Sequence, residues 1–229
     1  MIPISDSAPK PKLPFITILL ITANTAVFVY QHYSGVVDGS QLYFRLGSIP
    51  YEITRLTDIG PTAGVPIPLT LMTGIFLHGG WIHLMGNMLF LWIFGDNVEG
   101  RVGRVHYLIF FLAGGVLATL VQVIANPSSR IPIVGASGAV AAVMASYLVF
   151  FPTAKVKTLL FWFVFFQVVD LPAFVFLVYW IGVQLLIVFS RGDTGTTGVA
   201  WFAHLGGFTA GFAFALVHRV KRRRPKKKK

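Results

Sequence analysis

The chain has 229 residues, of which 55% are hydrophobic and only 12% charged, with a mean hydropathy of +0.73. A soluble domain of this size carries roughly 25% charged residues, so the composition points to a polytopic helical membrane protein; the ten-residue alternation of a membrane barrel is absent. Without cysteine, disulfides, thiolate metal ligands and a cysteine nucleophile are all excluded.

The net charge is +11, and nine of the 19 Lys and Arg residues lie between Arg219 and Lys229, directly after a hydrophobic segment. A block placed there fixes membrane topology and meets anionic headgroups. The charge is therefore read as directed at membrane lipid, with no nucleic-acid partner.

In chain order, the apolar segments predict spans over 13–31, 80–97, 104–125, 136–151, 171–189 and 199–218, against the roughly 20 residues that cross a bilayer. Lys10 and Lys12 precede the first span and no small-residue cleavage site follows it, so it reads as an uncleaved anchor. Residues 32–79, rich in Gly, Pro and Thr and containing Gly60-Pro61, form a connection too long for a simple loop and are expected to fold on the external surface. Residues 158–170 are apolar but short, and predict an interfacial helix ending where Asp170-Leu171-Pro172 opens the fifth span. The expected fold class is an all-α membrane protein, a six-span bundle with a long external loop between spans one and two. It divides into a cytoplasmic segment 1–12, a membrane core 13–218 and a basic cytoplasmic tail 219–229.

Charge supports this topology. One set of loops holds 15 of the 19 basic residues, and the other only Arg45, Arg55, Arg130 and Arg191. That bias predicts cytoplasmic termini, a disposition that suits a prokaryotic plasma membrane. Spans two, four and six then begin on the external side, and each carries polar groups near its start: His83 and Asn87, then Ser137, then His204. At 1.5 Å per residue all four fall within about the outer 10 Å of the bilayer. Such groups are costly in lipid and usually serve function.

Small residues surround them. Gly135, Gly138 and the Gly207-xxx-Gly211 pair suit close helix packing, which would bring an imidazole within reach of a serine oxygen. Ser137 opens its helix, where unpartnered amides and the helix dipole favour an oxyanion. His83 and Asn87, four residues apart, share a helix face and could add donors. Gly135-Ala136-Ser137-Gly138-Ala139 is not the G-x-S-x-G elbow, since Ala139 occupies its last position. No acid lies in the outer zone of a span, so a Ser–His dyad is favoured over a triad completed by Asp193. His32, His78, His106 and His218 fall in loops or at span ends and are expected to be solvated or interfacial. No metal-ligand cluster or cofactor motif is visible. A transporter or channel reading lacks the inverted repeats and broken helices it would need.

Three stretches, His78–Gly103, Val134–Leu148 and Gly198–Gly211, contain H-x-x-x-N, G-x-S-G and A-H-x-x-G-x-x-x-G in that order. Together they closely resemble the rhomboid intramembrane serine proteases. The resemblance implies Ser137 as nucleophile and His204 as base and later acid. His83 and Asn87, with the Ser137 amide, would stabilise the oxyanion, and Glu99 and Gly103 would be structural. It also implies transmembrane protein substrates, no cofactor, and a fifth span that is a candidate lateral gate. Some members carry a tyrosine one turn beyond the serine, beneath the histidine; here that position is Ala141. The alternative reading is a catalytically inactive rhomboid-like protein that binds or escorts membrane proteins.

Overall fold

The computed structural model describes residues 1–9, 13–33, 39–59, 65–162, 165–191 and 199–223. The described chain runs β1 (Ile2–Asp6), α1 (Phe15–Tyr33), α2 (Gly39–Leu46), α3 (Pro50–Arg55), α4 (Thr70–Thr73), α5 (Trp81–Val102), α6 (Arg104–Ala125), α7 (Ser137–Phe150), β2 (Lys155–Trp162), β3 (Phe165–Pro172), α8 (Ala173–Arg191) and α9 (Trp201–Arg223). Six long helices, α1 and α5 to α9, form the bundle, each overlapping one expected span. Helix α6 covers the same residues as its expected span, because Gly103, at φ 91°, breaks the chain between α5 and α6 in the left-handed region that favours glycine.

Among the described residues three helices, α1, α6 and α8, are long and apolar enough to cross a membrane unaided. A fourth arises if the segment Ile67–Phe76 and α5, bent by 81° at the break between them, count as one span. Helix α7 has 14 residues and so reaches only about 21 Å, short of a bilayer core of about 30 Å. The helices that fall below the threshold are those that carry polar groups into the interior: α5 brings His83, Asn87, Asp96 and Glu99, and α9 brings His204.

Helix α7 is the centre of the bundle. Every residue from Gly138 to Tyr147 is buried, and α5, α6, α8 and α9 all pack against it. Contact with α9 is backbone to backbone. A Cβ placed on Gly207 would fall 2.0 Å from the Gly138 carbonyl oxygen, and one on Gly211 would fall 2.0 Å from that of Ala142. The Ser146 hydroxyl donates to the Gly211 carbonyl at 2.9 Å, tying the same seam. In lipid, where apolar side chains gain little by leaving their surroundings, this close approach supplies the association energy.

The fully buried Glu99 near the end of α5 accepts from Ile16 N, Thr17 N and Thr17 Oγ1 at 3.0, 2.8 and 2.8 Å. Its carboxylate thus satisfies the first amides of α1 and sits at the positive end of that helix dipole. Glu99→Gln keeps the shape but loses the charge. It is expected to cost about 2 kcal/mol and to lower the melting temperature by about 4–8 °C, which thermal unfolding in detergent measures.

The segment 158–170 differs from expectation. It is not an interfacial helix: β2 and β3 form an antiparallel hairpin with Lys157 opposite Asp170 and Phe161 opposite Phe166, and β1 adds to its free edge. The run is dense in β-branched and aromatic side chains, which favour strands. Its alternation is visible once the face is known, with Val156 and Thr158 fully buried while Lys155 and Lys157 are exposed. A partner strand from the other end of the chain decides the outcome, and no local signal announces it. The Tyr147 hydroxyl at the end of α7 donates to Asp6 Oδ2 at 2.6 Å, and the Asn97 amide donates to the Pro9 carbonyl at 3.1 Å, so the N-terminal segment is fastened to the bundle.

The described part of 32–79 folds into α2, α3 and α4 against the bundle, while Gly60-Pro61 lies outside the described residues. Ser48 and Ile133 exchange backbone hydrogen bonds at 3.1 and 2.8 Å, and Ser48 Oγ donates to the Thr70 carbonyl. This pins the segment to the connection that leads into α7.

Candidate active site

Ser137 is the first residue of α7, and the chain reaches it through Gly135 at φ 117°. The Gly135 amide donates to the Gly74 carbonyl at 2.9 Å, so the external segment holds this turn. His204 lies in the first turn of α9. The start of that helix is set from α6, where Gln122 Oε1 accepts from the Ala203 amide at 3.1 Å. Across the α7–α9 seam Ala203 faces Gly138, whose Cβ position would lie 3.6 Å from the Ala203 carbonyl oxygen. The residues flanking Ser137 and His204 therefore meet. Both side chains, together with His83 and Asn87, line one cavity of about 850 Å³, and Ser137 and His204 are each half-buried there.

The two histidines are held in opposite tautomers. The Gly79 amide donates to His83 Nδ1 at 3.4 Å, so that nitrogen carries the lone pair and the proton sits on Nε2. His83 Nε2 faces the turn before the serine: a Cβ on Gly135 would fall 2.7 Å from it. At His204 the order is reversed. Nδ1 lies 2.8 Å from Gln184 Oε1, an amide oxygen that only accepts, so Nδ1 carries a proton and in the neutral ring the lone pair is on Nε2. The rings of Trp180 and Trp201 flank the same imidazole, with centroids 5.8 and 5.9 Å away.

Asn87 Nδ2 is buried and has no hydrogen-bond partner among the described residues, and it too faces Gly135, whose Cβ position would be 3.7 Å away. A buried amide donor left open costs about 1–3 kcal/mol, so its persistence beside the serine invites a ligand oxygen. Chemically, the arrangement offers a hydroxyl at a helix N-terminus, an imidazole with an accepting nitrogen, and two donors aimed at the turn before the hydroxyl.

Gly138, Gly207 and Gly211 lie on the α7–α9 seam, whereas Gly135 precedes α7 and packs on the His83 ring. No described residue lining the cavity is acidic. Asp170 is exposed on β3, and Asp193 lies outside the described residues. Ala141, one turn into α7, is fully buried and has no ring or polar side-chain atom to hold an imidazole.

His78 departs from the expectation of a solvated or interfacial side chain: it is fully buried. Gln31 and Tyr43 close over it by donating to its carbonyl at 3.0 and 3.1 Å. Burial, with His83 adding, pushes its imidazole down to about 4. It is therefore neutral beside the His83 ring, at a centroid distance of 5.1 Å. Sequence reasoning also missed Gln122, Trp180 and Gln184. The signal for the two glutamines was a single amide within an otherwise apolar span, the same kind of signal that singled out Asn87.

Comparison with known proteins agrees with this architecture. Residues 68–221 match the Rhomboid domain family. The chain is 34% identical over 94 residues to Presenilin-associated rhomboid-like protein A, mitochondrial, of Danio rerio, covering 40% of this chain and 24% of the relative. It is 28% identical over 109 residues to Putative rhomboid protease YdcA of Bacillus subtilis (strain 168), covering 47% of this chain and 54% of the relative. With RHOMBOID-like protein 4 of Arabidopsis thaliana it is 28% identical over 231 residues, covering 89% and 52%. The matched stretches thus span between about a quarter and about half of these relatives' lengths. Apolar helices, three ordered motifs and a domain match over most of the chain converge: this is an integral membrane protein, and it belongs to the rhomboid family.

Proposed function

We propose that the protein is an intramembrane serine endopeptidase that cleaves transmembrane segments of membrane-protein substrates near the external side of the bilayer, using a Ser137–His204 dyad. The observation that carries the reading is the opposed tautomers on one cavity. His204, with Nδ1 on Gln184, offers Nε2 as acceptor on the cavity that Ser137 also lines, while His83 Nε2–H and the Asn87 amide supply donors.

In this reading Ser137 Oγ attacks a substrate carbonyl carbon as its proton passes to His204 Nε2. The oxyanion accepts from the Ser137 amide, His83 Nε2–H and Asn87 Nδ2. Collapse breaks the carbon–nitrogen bond, and the imidazolium gives its proton to the leaving amine. Water, deprotonated by His204, then attacks the acyl carbon; the ester carbon–Oγ bond breaks, the imidazolium returns the proton to Ser137 Oγ, and the second product leaves as an acid. The short α7 supports a serine beneath a water-accessible vestibule rather than in lipid.

Six spans with cytoplasmic termini belong to the same proposal, supported by the charge bias between the two loop sets. The N-terminal segment 1–12 and the tail 219–229 then face the cytoplasm of a prokaryotic cell, with the tail against anionic headgroups.

The test is cleavage of a single-span reporter by purified protein in liposomes, wild type beside Ser137→Ala. Loss of cleavage with the hydroxyl supports the proposal. Equal cleavage by both proteins, or none by either across several reporters, overturns it, the latter in favour of a catalytically inactive rhomboid-like protein that binds or escorts membrane proteins. His83→Ala and Asn87→Ala are each expected to lower kcat by about 10–1000-fold with little change in KM, because an oxyanion donor acts chiefly in the transition state. Steady-state kinetics on the same reporter separate the two parameters.

A further inference from the structure

In the proposed reading the imidazole of His204 needs a partner at Nδ1 that keeps Nε2 toward Ser137, and the described hydrogen bond to Nδ1 comes from neither α7 nor α9. No described acid lines the cavity, and position 141 carries only a methyl group. The partner comes instead from α8. Trp180 and Gln184 are four residues apart and so share one helix face. The first puts its ring against the imidazole, and the second accepts from Nδ1 at 2.8 Å. Gln184 is 8% exposed, in a helix with otherwise apolar neighbours, where an amide is costly unless bonded.

We propose that Gln184 is a positioning residue for His204, doing with a neutral amide oxygen what a carboxylate does in a triad: it holds the proton on Nδ1 and aims Nε2 at the serine. This inference rests on the proposed protease reading and deepens it. It also makes the base depend on the seating of α8. Only 22% of the apolar window of α8 is buried in the protein, against 44% for α6. A displacement of α8 away from α9 separates the acceptor from the imidazole, so the site is complete only while α8 is docked.

The test compares wild type, Gln184→Leu and Gln184→Glu in liposomes by three readouts. These are kcat and KM on the reporter, the rate at which a fluorophosphonate labels Ser137, and the 15N spectrum of His204 in histidine-labelled protein, assigned by its loss in His204→Gln. Gln184→Leu is expected to lower kcat and labelling by about 10–100-fold, the usual cost of deleting a partner that orients a functional imidazole, with KM within about twofold. Gln184→Glu should recover most of that loss, since a carboxylate oxygen also accepts from Nδ1. The wild-type spectrum should show protonated Nδ1 and unprotonated Nε2, an order lost in Gln184→Leu.

Unchanged rates in Gln184→Leu, or Gln184→Glu no better than Gln184→Leu, overturn the inference; a merely packing role predicts the latter, because burying a charge is worse than burying a leucine. If wild type neither cleaves nor labels, the protease reading fails and the 15N spectrum alone judges Gln184. Tautomer order lost on substitution supports the positioning role, and order unchanged refutes it.

Discussion

Ser137→Ala is expected to abolish cleavage, with the rate falling by at least about 10³-fold, and His204→Ala by a similar factor. The reason is chemical. Without the hydroxyl no acyl-enzyme forms, and without the imidazole the hydroxyl keeps its proton. Because the two groups act on the same step, the double variant should be no slower than either single one, an overlap that independent contributions would not produce. Ser137→Ala removes one oxygen at a half-buried helix start, so its melting temperature should stay close to wild type. Kinetics on the reporter beside thermal unfolding of all three variants separates lost chemistry from lost fold. A double variant about as far below each single as the singles are below wild type would mean two unlinked roles.

Gly207→Val is expected to have the next largest effect, through the α7–α9 seam. Its Cβ alone would stand 2.0 Å from the Gly138 carbonyl oxygen and 2.9 Å from its carbon. These are backbone atoms with no rotamer to change, so α9 must move. The residue displaced with it is His204, three positions earlier. Overpacking of this kind typically costs about 1–3 kcal/mol, and a shift of about 1 Å at a catalytic group costs about 10²-fold in rate. Both losses are expected together, read as a lower melting temperature and a lower kcat on the reporter. Gly182→Ala on α8 is the control, since a Cβ there meets nothing within 4 Å. Should Gly207→Val retain wild-type activity, the backbone seam would not be what sets the position of His204.

Much of this was legible in the sequence, and what was not has identifiable physical causes. The apolar lengths located all six bundle helices, whereas span two was expected to end at 97 and α5 runs on to Val102, where Gly103 at φ 91° makes the break. The polar residues at the starts of α5, α7 and α9 were readable as a group because each is expensive where it stands. By contrast, 158–170 reads as an interfacial helix by sequence: its strand character emerges only when β1, about 150 residues earlier in the chain, is laid along the edge of β2. His78 sits in a loop by sequence, yet two side chains from α1 and α2 close over it. Gln184 was passed over because its partner is on another helix, and the facing of α8 against α9 is a tertiary property that no spacing within α8 encodes.

The small sheet also fixes a parity. Residues Ile2–Asp6 hydrogen-bond to Val156–Leu159, and strands joined edge to edge must occupy the same aqueous compartment. The chain between them must therefore traverse the bilayer an even number of times, and four bundle helices, α1, α5, α6 and α7, lie in that interval. The pairing thus restricts the parity of crossings without reference to charge. Chain order adds a delay: β1 comes first and its neighbour only after four bundle helices, so the strand has no partner until the chain beyond α7 has been made.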